Sequence, residues 1–281
     1  SQVNDVMLFI FDDDGRFISS LQDSGPHLDA GYRMPLQLVP GHYQLVAWAG
    51  LLTDTDCYNL NCDLQRGTST VDDLMLCLQT EEDEYDQCLT DVWHGQLADF
   101  EVKADAPSYA TISLVKDVKR FRVLLQDTEG NALSKDDYSF GITTANRMLD
   151  HQNEPCECEP LVYRPHTLVE ATISNDAAPT RATDLHALVA ELNTLRLTDD
   201  VPVRFTVRNE REQQDLFDID LQKYLNLMKL EVHADMSLQE YLDRESSYQV
   251  ILIMGHNNAG QEVMMSIQIN AWTLVFNQTE L

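Results

Sequence analysis

The sequence predicts an all-β protein of two tandem β-sandwich domains with one or two short helices. Three observations support this prediction. Apolar and polar residues alternate over much of the chain, turn residues separate the alternating stretches, and one strand-and-turn pattern occurs near the start of each half. The 281 residues are enough for about two domains at roughly 150 residues each.

The first predicted element is a hairpin around three consecutive aspartates. Residues 6–11 are apolar, residues 17–18 resume the apolar pattern, and three aspartates followed by Gly15 lie between them. Aspartate side chains accept hydrogen bonds from nearby backbone N–H groups and glycine adopts positive φ, so the segment suits a turn. A calcium loop of the EF-hand type is the alternative. It fails because its fifth and sixth positions fall on Arg16 and Phe17.

A similar pattern opens the second half of the chain. Residues 121–133 contain an apolar strand, the turn sequence DTEG and a return arm, and Gly130 aligns with Gly15 of the first hairpin. This internal duplication predicts two related domains. No linker rich in Pro or Gly interrupts the chain, so we place the boundary at Lys116–Asp117, which gives domains of residues 1–116 and 117–281.

The other predicted strands follow a period of two, in which alternate side chains point to opposite faces of a sheet. Pro40–Gly41 predicts a second hairpin between residues 36–39 and 43–48. The turn NNAG at 257–260 predicts another hairpin after residues 250–254. Further alternating stretches predict strands at 100–102, 112–115, 121–125, 138–144, 203–207 and 265–269.

Helix is predicted only in the last third of the chain. Ser237 and Glu240 fit a capping box for a short helix at 237–244. Residues 221–230 are a second candidate. Residues 185–197 fit both a helical stripe and a strand, and we expect a strand because the neighbouring segments are strands.

The composition argues against two kinds of partner. The formal net charge of −28 at pH 7 creates a field that repels nucleic-acid phosphates and anionic lipid headgroups. No apolar run approaches the roughly 18 residues that would cross a bilayer as a helix. We therefore expect no nucleic-acid partner, and any membrane attachment would lie outside these residues.

The cysteines leave three interpretations open: disulfides, free thiols or metal ligands. Cys57 and Cys62 are close enough in sequence to close a small loop, whereas Cys156 and Cys158 are too close for an unstrained mutual disulfide. The even count suits disulfides, and the spacing fits no standard zinc module. The candidate disulfide or thiol sites are Cys57, Cys62, Cys77, Cys88, Cys156 and Cys158.

No motif for catalysis, cofactor binding or metal binding occurs in the sequence. A G-x-S-x-G elbow, an H-E-x-x-H pair and a glycine-rich phosphate loop are all absent. His94 lies beside Trp93, where a packed histidine is the preferred interpretation over a metal ligand. We expect a protein without enzymatic activity, cofactor or metal.

Seven stretches, in order along nearly the whole chain, carry a family resemblance. They are VMLFIFDDDGRF (6–17), VPGHYQLVAWAG (39–50), DVWHGQ (91–96), ISLVKDVKRFRV (112–123), LNTLRL (192–197), QEYLDRESSY (239–248) and INAWTLV (269–275). The ordered set resembles the fimbrillin-A-associated anchor and minor subunit proteins of Bacteroidales type V pili, the FimB-like family. The resemblance implies two transthyretin-like Greek-key sandwiches in a fimbrial subunit.

The same resemblance implies the location and partners of the protein. It implies an exported lipoprotein at the cell surface and outer membrane, with its lipid anchor upstream of Ser1 and with fimbrial stalk or accessory subunits as partners. Trp272, Leu274 and Phe276 project to one face of a strand that suits donation to a neighbouring subunit. The alternative is that this is the last strand of its own domain.

A surface carbohydrate-binding sandwich is the alternative function. Such a protein would use exposed aromatic rings as stacking platforms, and Trp48 and Trp93 are the candidates. Trp48 lies between apolar residues in an alternating stretch, so we expect it to be buried.

Overall fold

A computed structural model describes residues 3–52, 56–61, 63–173, 185–227, 229, 234–270 and 272–275, with the backbone alone for residues 173, 185 and 272–275. The described part of the chain is mostly β, with two α-helices. The strands are β1 Asp5–Asp12, β2 Phe17–Ser24, β3 Gly41–Ala49, β4 Tyr58–Leu60, β5 Leu76–Leu78, β6 Glu84–Tyr85, β7 Trp93–Val102, β8 Val115–Lys116, β9 Lys119–Asp127, β10 Tyr138–Thr144, β11 Met148–Leu149, β12 Leu161–Tyr163, β13 Thr167–Ile173, β14 Leu185–Thr194, β15 Arg204–Asn209, β16 Gln214–Asp220, β17 Ser247–His256, β18 Glu262–Ile269 and β19 Trp272–Val275; the helices are α1 Leu221–Leu227 and α2 Leu238–Arg244.

Internal contacts divide the chain into two compact units. The first unit is Ser1–Glu81, Leu89–Val118 and Asn146–Glu159, and the second is Glu82–Cys88, Lys119–Ala145 and Pro160–Leu281. The boundary at Lys116–Asp117 stays a prediction. Neither helix in the described residues has the length and apolar character needed to span a bilayer.

In the residues that the structure describes, the first unit contains two sheets. Its central sheet has the strand order β2-β1-β3-β7-β8, and its small sheet has the order β11-β5-β4. The central sheet has apolar side chains on both faces, because β1 and β3 carry nearly continuous apolar runs. On one face Trp48 and Phe9 are completely or almost completely buried.

The described residues of the second unit also form two sheets, with the orders β16-β15-β10-β12-β6 and β13-β14-β9-β17-β18-β19. β14 of the six-stranded sheet contacts β10 and β12 of the five-stranded sheet. Alternate residues of β17 are buried, as the period of two predicts: Tyr248, Val250, Leu252 and Met254. The predicted all-β sandwich class is therefore confirmed.

The first predicted hairpin is confirmed. β1 and β2 pair in antiparallel fashion. The Gly15 N–H donates to the Asp12 carbonyl at 3.0 Å, and the Arg16 N–H donates to Asp12 Oδ1 at 2.8 Å. Gly15 has a φ of 75°. The aspartates therefore form a turn, stabilised as predicted by a hydrogen bond to an aspartate side chain and by the positive φ of Gly15.

Two other predicted hairpin arms are wrong, for one physical reason. The turn at Asp127–Gly130 forms, with a hydrogen bond of 3.0 Å between these two residues, but residues 131–133 form no strand. Residues 36–39 likewise form no strand before the turn at Pro40–Gly41. In both cases the intended partner already has a strand on each edge: β9 lies between β14 and β17, and β3 lies between β1 and β7.

The third hairpin and the helical predictions agree better with the structure. β17 and β18 pair in antiparallel fashion around the turn at 257–260. Residues 185–194 form strand β14, paired with β13 and β9, so the choice of strand over helix is confirmed. Helix α2 begins after Ser237, whose Oγ accepts from the Glu240 N–H at 3.0 Å. Helix α1 ends at Leu227, and residues 228 and 230 lie outside the described residues.

Candidate assembly site

One face of the central sheet in the first unit carries a compact apolar cluster. Its members lie on β1 and β3, where Leu8 pairs with Ala47 and Ile10 pairs with Leu45. Because paired residues of neighbouring strands share a face, these side chains pack side by side. The apolar cluster consists of Leu8, Ile10, Tyr43, Leu45 and Ala47, each at most 6% exposed.

Two extended segments, residues 33–39 and 111–114, cover the apolar cluster. We call them the cover segments. Met34, Leu36 and Leu38 of the first pack against the cluster, and Ile112 and Leu114 of the second do the same. Within each segment, the residues that alternate with these covering residues point outward and are exposed, as in a strand that lies on a core. All five covering side chains are only partly buried.

The cover segments have the side-chain pattern of strands but not their hydrogen bonds. Among the described residues, no backbone-to-backbone hydrogen bond involves residues 33–39 or 111–114, and neither segment belongs to a sheet. Backbone N–H and C=O groups are strong hydrogen-bonding groups that nearly always find a partner when buried. Because the two extended segments lie on the core without a backbone partner among the described residues, they form an incomplete layer.

Gly95 of β7 lets the second cover segment approach the sheet closely. A Cβ atom at this position would lie 2.5 Å from the Ser113 carbonyl oxygen and 2.7 Å from a methyl carbon of Ile112. These separations are shorter than real Cβ contacts, so any side chain at position 95 would displace the segment. Because glycine has no side chain, position 95 allows residues 112–114 to lie this close to the sheet.

The first cover segment is held at both ends by tyrosine hydroxyls. Tyr32 donates to Asp23 Oδ2 at 2.8 Å, and Tyr43 donates to the Val39 carbonyl at 2.7 Å. His27 Nε2 lies 3.0 Å from Asp23 Oδ1. Hydrogen bonds from His27 and then Tyr32 lower the pKa of Asp23. Burial and the bond to Asp23 raise the pKa of Tyr32 to about 12.

The cover segments have the features that strand addition requires: an extended backbone without backbone partners among the described residues, and side chains that alternate between core and solvent. Unpaired strand edges are templates for another chain, and binding by strand addition uses backbone hydrogen bonds for affinity and alternate side chains for specificity. Val39 and Tyr109 are 74% and 78% exposed, so large apolar side chains also lie on or near the cover segments. Sequence alternation found both segments, but it assigned them to ordinary strands.

Comparison with known proteins gives the family. A family model described as fimbrillin-A associated anchor proteins Mfa1 and Mfa2 matches residues 1–278. The chain belongs to this family. No curated protein sequence matches it.

Solved structures of similar proteins agree with the family. A candidate polysaccharide-binding protein from Bacteroides thetaiotaomicron is 28% identical, with a TM-score of 0.80 over 100% of this chain and 93% of that one. A candidate adhesin from the same species is 27% identical, with a TM-score of 0.83 over 98% and 91%. The fimbrial anchor protein Mfa2 from Porphyromonas gingivalis is 18% identical, with a TM-score of 0.72 over 98% and 91%, and therefore shares the fold.

In this member of the anchor family, the C-terminal strand lies at the edge of its own sheet. β19 pairs with β18 through four residue pairs, from Ile269 with Trp272 to Ser266 with Val275. The side chains of Trp272 and Leu274, and all of Phe276, lie outside the described residues. Their role in partner binding stays a prediction.

Cys77 and Cys156 both lie next to Met148. Cys77 pairs with Met148 across β5 and β11, and the Cys156 N–H donates to the Met148 carbonyl at 2.9 Å. Burial raises the pKa of the Cys77 and Cys156 thiols. None of the five described cysteines is in a disulfide, including Cys57, Cys88 and Cys158, and Cys62 lies outside the described residues. Their pairing stays a prediction.

Both tryptophans proposed as carbohydrate platforms are buried. Trp48 is 0% exposed and packs edge-on against His94, with ring centroids 4.6 Å apart. Trp93 is 8% exposed, and Lys116 Nζ lies 5.7 Å from its ring centroid. His94 Nε2 lies 2.9 Å from the His151 carbonyl, so it is a packed histidine as predicted. No group of three or more His, Cys, Asp or Glu in the described residues could hold a metal ion.

Proposed function

We propose that this protein is a non-enzymatic anchor or minor assembly subunit of a bacterial surface fimbria, which joins fimbrial subunits to the outer membrane through strand-mediated contacts. Membership of the anchor family supports the fimbrial role. The observation that supports the strand-mediated contact is the pair of cover segments over the apolar cluster, whose backbone edges have no backbone partner in the part of the chain that the structure describes.

The proposed occupant of this site is one extended segment of a neighbouring fimbrial subunit. Placed along a cover segment, its backbone would bond to N–H and C=O groups that have no backbone partner among the described residues. Apolar side chains at alternate positions would add to the half-buried layer formed by Met34, Leu36 and Leu38. Each large apolar side chain that becomes fully buried contributes about 1.5–3 kcal/mol.

A peptide with such a pattern provides the test. We choose INAWTLVFNQT, residues 269–279 of this chain, because it has apolar residues at alternate positions. We expect hydrogen–deuterium exchange of residues 33–39 and 111–114 to slow when the peptide is added, because their N–H groups gain partners. A control peptide with Ser in place of Trp272, Leu274 and Phe276 should give no protection.

Variants of the first cover segment give the matched control. Leu36→Glu places a charge against the apolar cluster and should abolish the protection, whereas Gln37→Glu changes an outward-facing residue and should preserve it. Protection confined to β2 or β13, or equal protection by the control peptide, would contradict strand binding at this site. Co-purification of a stalk protein from surface extracts, lost in Leu36→Glu, would identify the natural partner.

Donation of the C-terminal strand by Trp272, Leu274 and Phe276 is a separate proposal. It requires that β19 can leave its sheet without loss of the second unit. A chain ending at Asn270 distinguishes the two roles: a folded second unit with lost subunit binding supports donation. Unfolding of the second unit would support the alternative that β19 serves only its own sheet.

Attachment to the outer membrane through a lipid upstream of Ser1 is the remaining part of the proposal. The family's description as anchor proteins supports it. The full-length gene product should incorporate an alkyne fatty acid in its native host and sediment with the outer membrane. A cytosolic location would contradict both the lipid and the fimbrial role.

A further inference from the structure

A short acidic segment of the first half belongs to the second unit. Strand β6 lies within Glu82–Cys88 and pairs in parallel with β12. The Val162 N–H donates to the Asp83 carbonyl and the Arg164 N–H to the Tyr85 carbonyl, both at 2.8 Å. Tyr85 is buried, and its ring centroid lies 6.4 Å from that of Tyr163. The segment is therefore an integral strand of the five-stranded sheet.

A segment of the second half belongs to the first unit in the same way. Residues 146–159 contain β11, which pairs with β5, and the Leu78 N–H donates to the Arg147 carbonyl at 2.8 Å. Leu149 is completely buried. Asn153 Nδ2 donates to Asp117 Oδ1 at 2.7 Å in the buried interior. Each unit is thus completed by a segment whose sequence neighbours belong to the other unit, and the chain passes between the units five times.

We propose that this reciprocal exchange of segments couples the folding of the two units, so that they unfold in a single transition. While the first unit is folded, residues 81 and 89 are fixed within it. The short segment between them then keeps β6 available for pairing with β12. When the first unit unfolds, β6 can stay paired only by closing the loop of residues 89–118. Closing a flexible loop of that length lowers the equilibrium constant for the pairing of β6 with β12 by a factor on the order of 100.

The same argument applies in the other direction. When the second unit unfolds, residues 146–159 stay in the first unit only by closing the loop of residues 119–145. That loop is similar in length, so the penalty is again a factor on the order of 100. Each unit therefore loses stability when the other unfolds, although nothing in the coupling requires them to touch.

Two neighbouring buried residues provide a matched pair of variants in the full chain. Tyr85 belongs to the second unit and Leu89 to the first, and both are buried. We expect Tyr85→Ala and Leu89→Ala each to increase the unfolded fraction of both units by roughly tenfold or more. Hydrogen exchange with mass spectrometry in urea measures this, with peptides from β1 and β3 for the first unit and from β9 and β17 for the second.

The outcome separates coupled from independent units. A single urea midpoint, shifted by both variants in both sets of peptides, supports the proposal that the exchanged segments couple the unfolding of the two units. Two midpoints, with Tyr85→Ala acting on the second unit alone and Leu89→Ala on the first alone, would overturn it. Gln87→Ala, with an exposed side chain, is the control. Tyr85→Leu and Leu89→Val replace the alanine variants if those fail to fold.

Discussion

Gly95 determines how closely the second cover segment lies against the central sheet. In Gly95→Ala, the added methyl group meets the Ser113 backbone carbonyl and the Ile112 side chain, so the segment must move. Overpacking of this kind costs about 1–3 kcal/mol. We expect the free energy of unfolding, measured by urea titration, to fall by that amount.

Gly31→Ala is the matched control for Gly95→Ala. The nearest atom to a Cβ at position 31 is the flexible carboxylate of Asp29, at 3.3 Å. We therefore expect little change in stability from this substitution. Equal effects of the two variants would mean that the close approach at Gly95 does not restrain the cover segment.

Asp23 gives the end of the first cover segment a dependence on pH. Its pKa is lowered by hydrogen bonds from His27 and Tyr32, so the folded state favours the carboxylate. A carboxyl group of this kind adds stability above its unfolded pKa of about 3.9, and this stability is lost as the pH falls through the folded pKa. The difference in Tm between the wild type and Asp23→Asn should therefore shrink below about pH 4.

The control for this pH series is Asp14→Asn, at an exposed turn position. Over the same pH range, the Asp23→Asn difference should change by more than the Asp14→Asn difference does. If the Asp23→Asn difference stayed constant down to pH 2, the lowered pKa would have no consequence for folding. Thermal unfolding followed by circular dichroism is sufficient for both series.

At the scale of the elements, sequence alternation predicts which side chains are buried but not whether the backbone has a partner. Residues 138–144 and residues 33–39 show the same alternation, yet the first form β10 between β12 and β15 and the second pair with nothing among the described residues. The difference lies in which strand edges are already occupied. That depends on the tertiary arrangement, so the candidate site could be located from the sequence but not recognised as an open layer.

Helix α2 shows the opposite case, where local sequence is sufficient. Ser237 caps the helix through its Oγ, and the helix then buries Tyr241 and Leu242. Ser237→Ala removes the cap and should lower the free energy of unfolding by about 1 kcal/mol. Ser247→Ala, at an exposed position of β17, is the control and should be neutral. A neutral Ser237→Ala in urea titration would mean that burial alone holds this helix.

At the scale of the whole molecule, the duplicated strand-and-turn pattern predicts two sandwich units, but it does not predict their exchanged segments. The sequence EEDEYDQ at residues 81–87 is acidic and has the appearance of a solvated loop. Its only large apolar group is Tyr85, and the partner of that residue, Tyr163, lies far away in sequence. A contact at such separation leaves no periodic signal, which is why the pairing of β6 with β12 is visible only in the fold.

The net charge of −28 also acts on the whole molecule, because most of its 47 carboxylates cannot have a partner among only 19 Lys and Arg side chains. Mutual repulsion of the unpaired carboxylates opposes the compact state. Raising NaCl from about 0.01 M to about 1 M shortens the Debye length from about 30 Å to about 3 Å, which screens this repulsion. We therefore expect Tm to rise with salt, even though surface ion pairs such as Arg208 with Asp215 weaken at the same time.

A charge-reduced variant tests whether repulsion is the cause. Asp14→Asn, Glu81→Gln, Asp105→Asn and Glu157→Gln, combined in one chain, remove four exposed carboxylates. Because fewer like charges remain to be screened, this variant should have a higher Tm at low salt and a smaller rise with NaCl than the wild type. Each 1 kcal/mol of stability corresponds to about 2–4 °C in a chain of this size, so differential scanning calorimetry can resolve the effect. A wild-type Tm that falls with NaCl would instead mean that attraction within the surface ion pairs outweighs the repulsion among the remaining carboxylates.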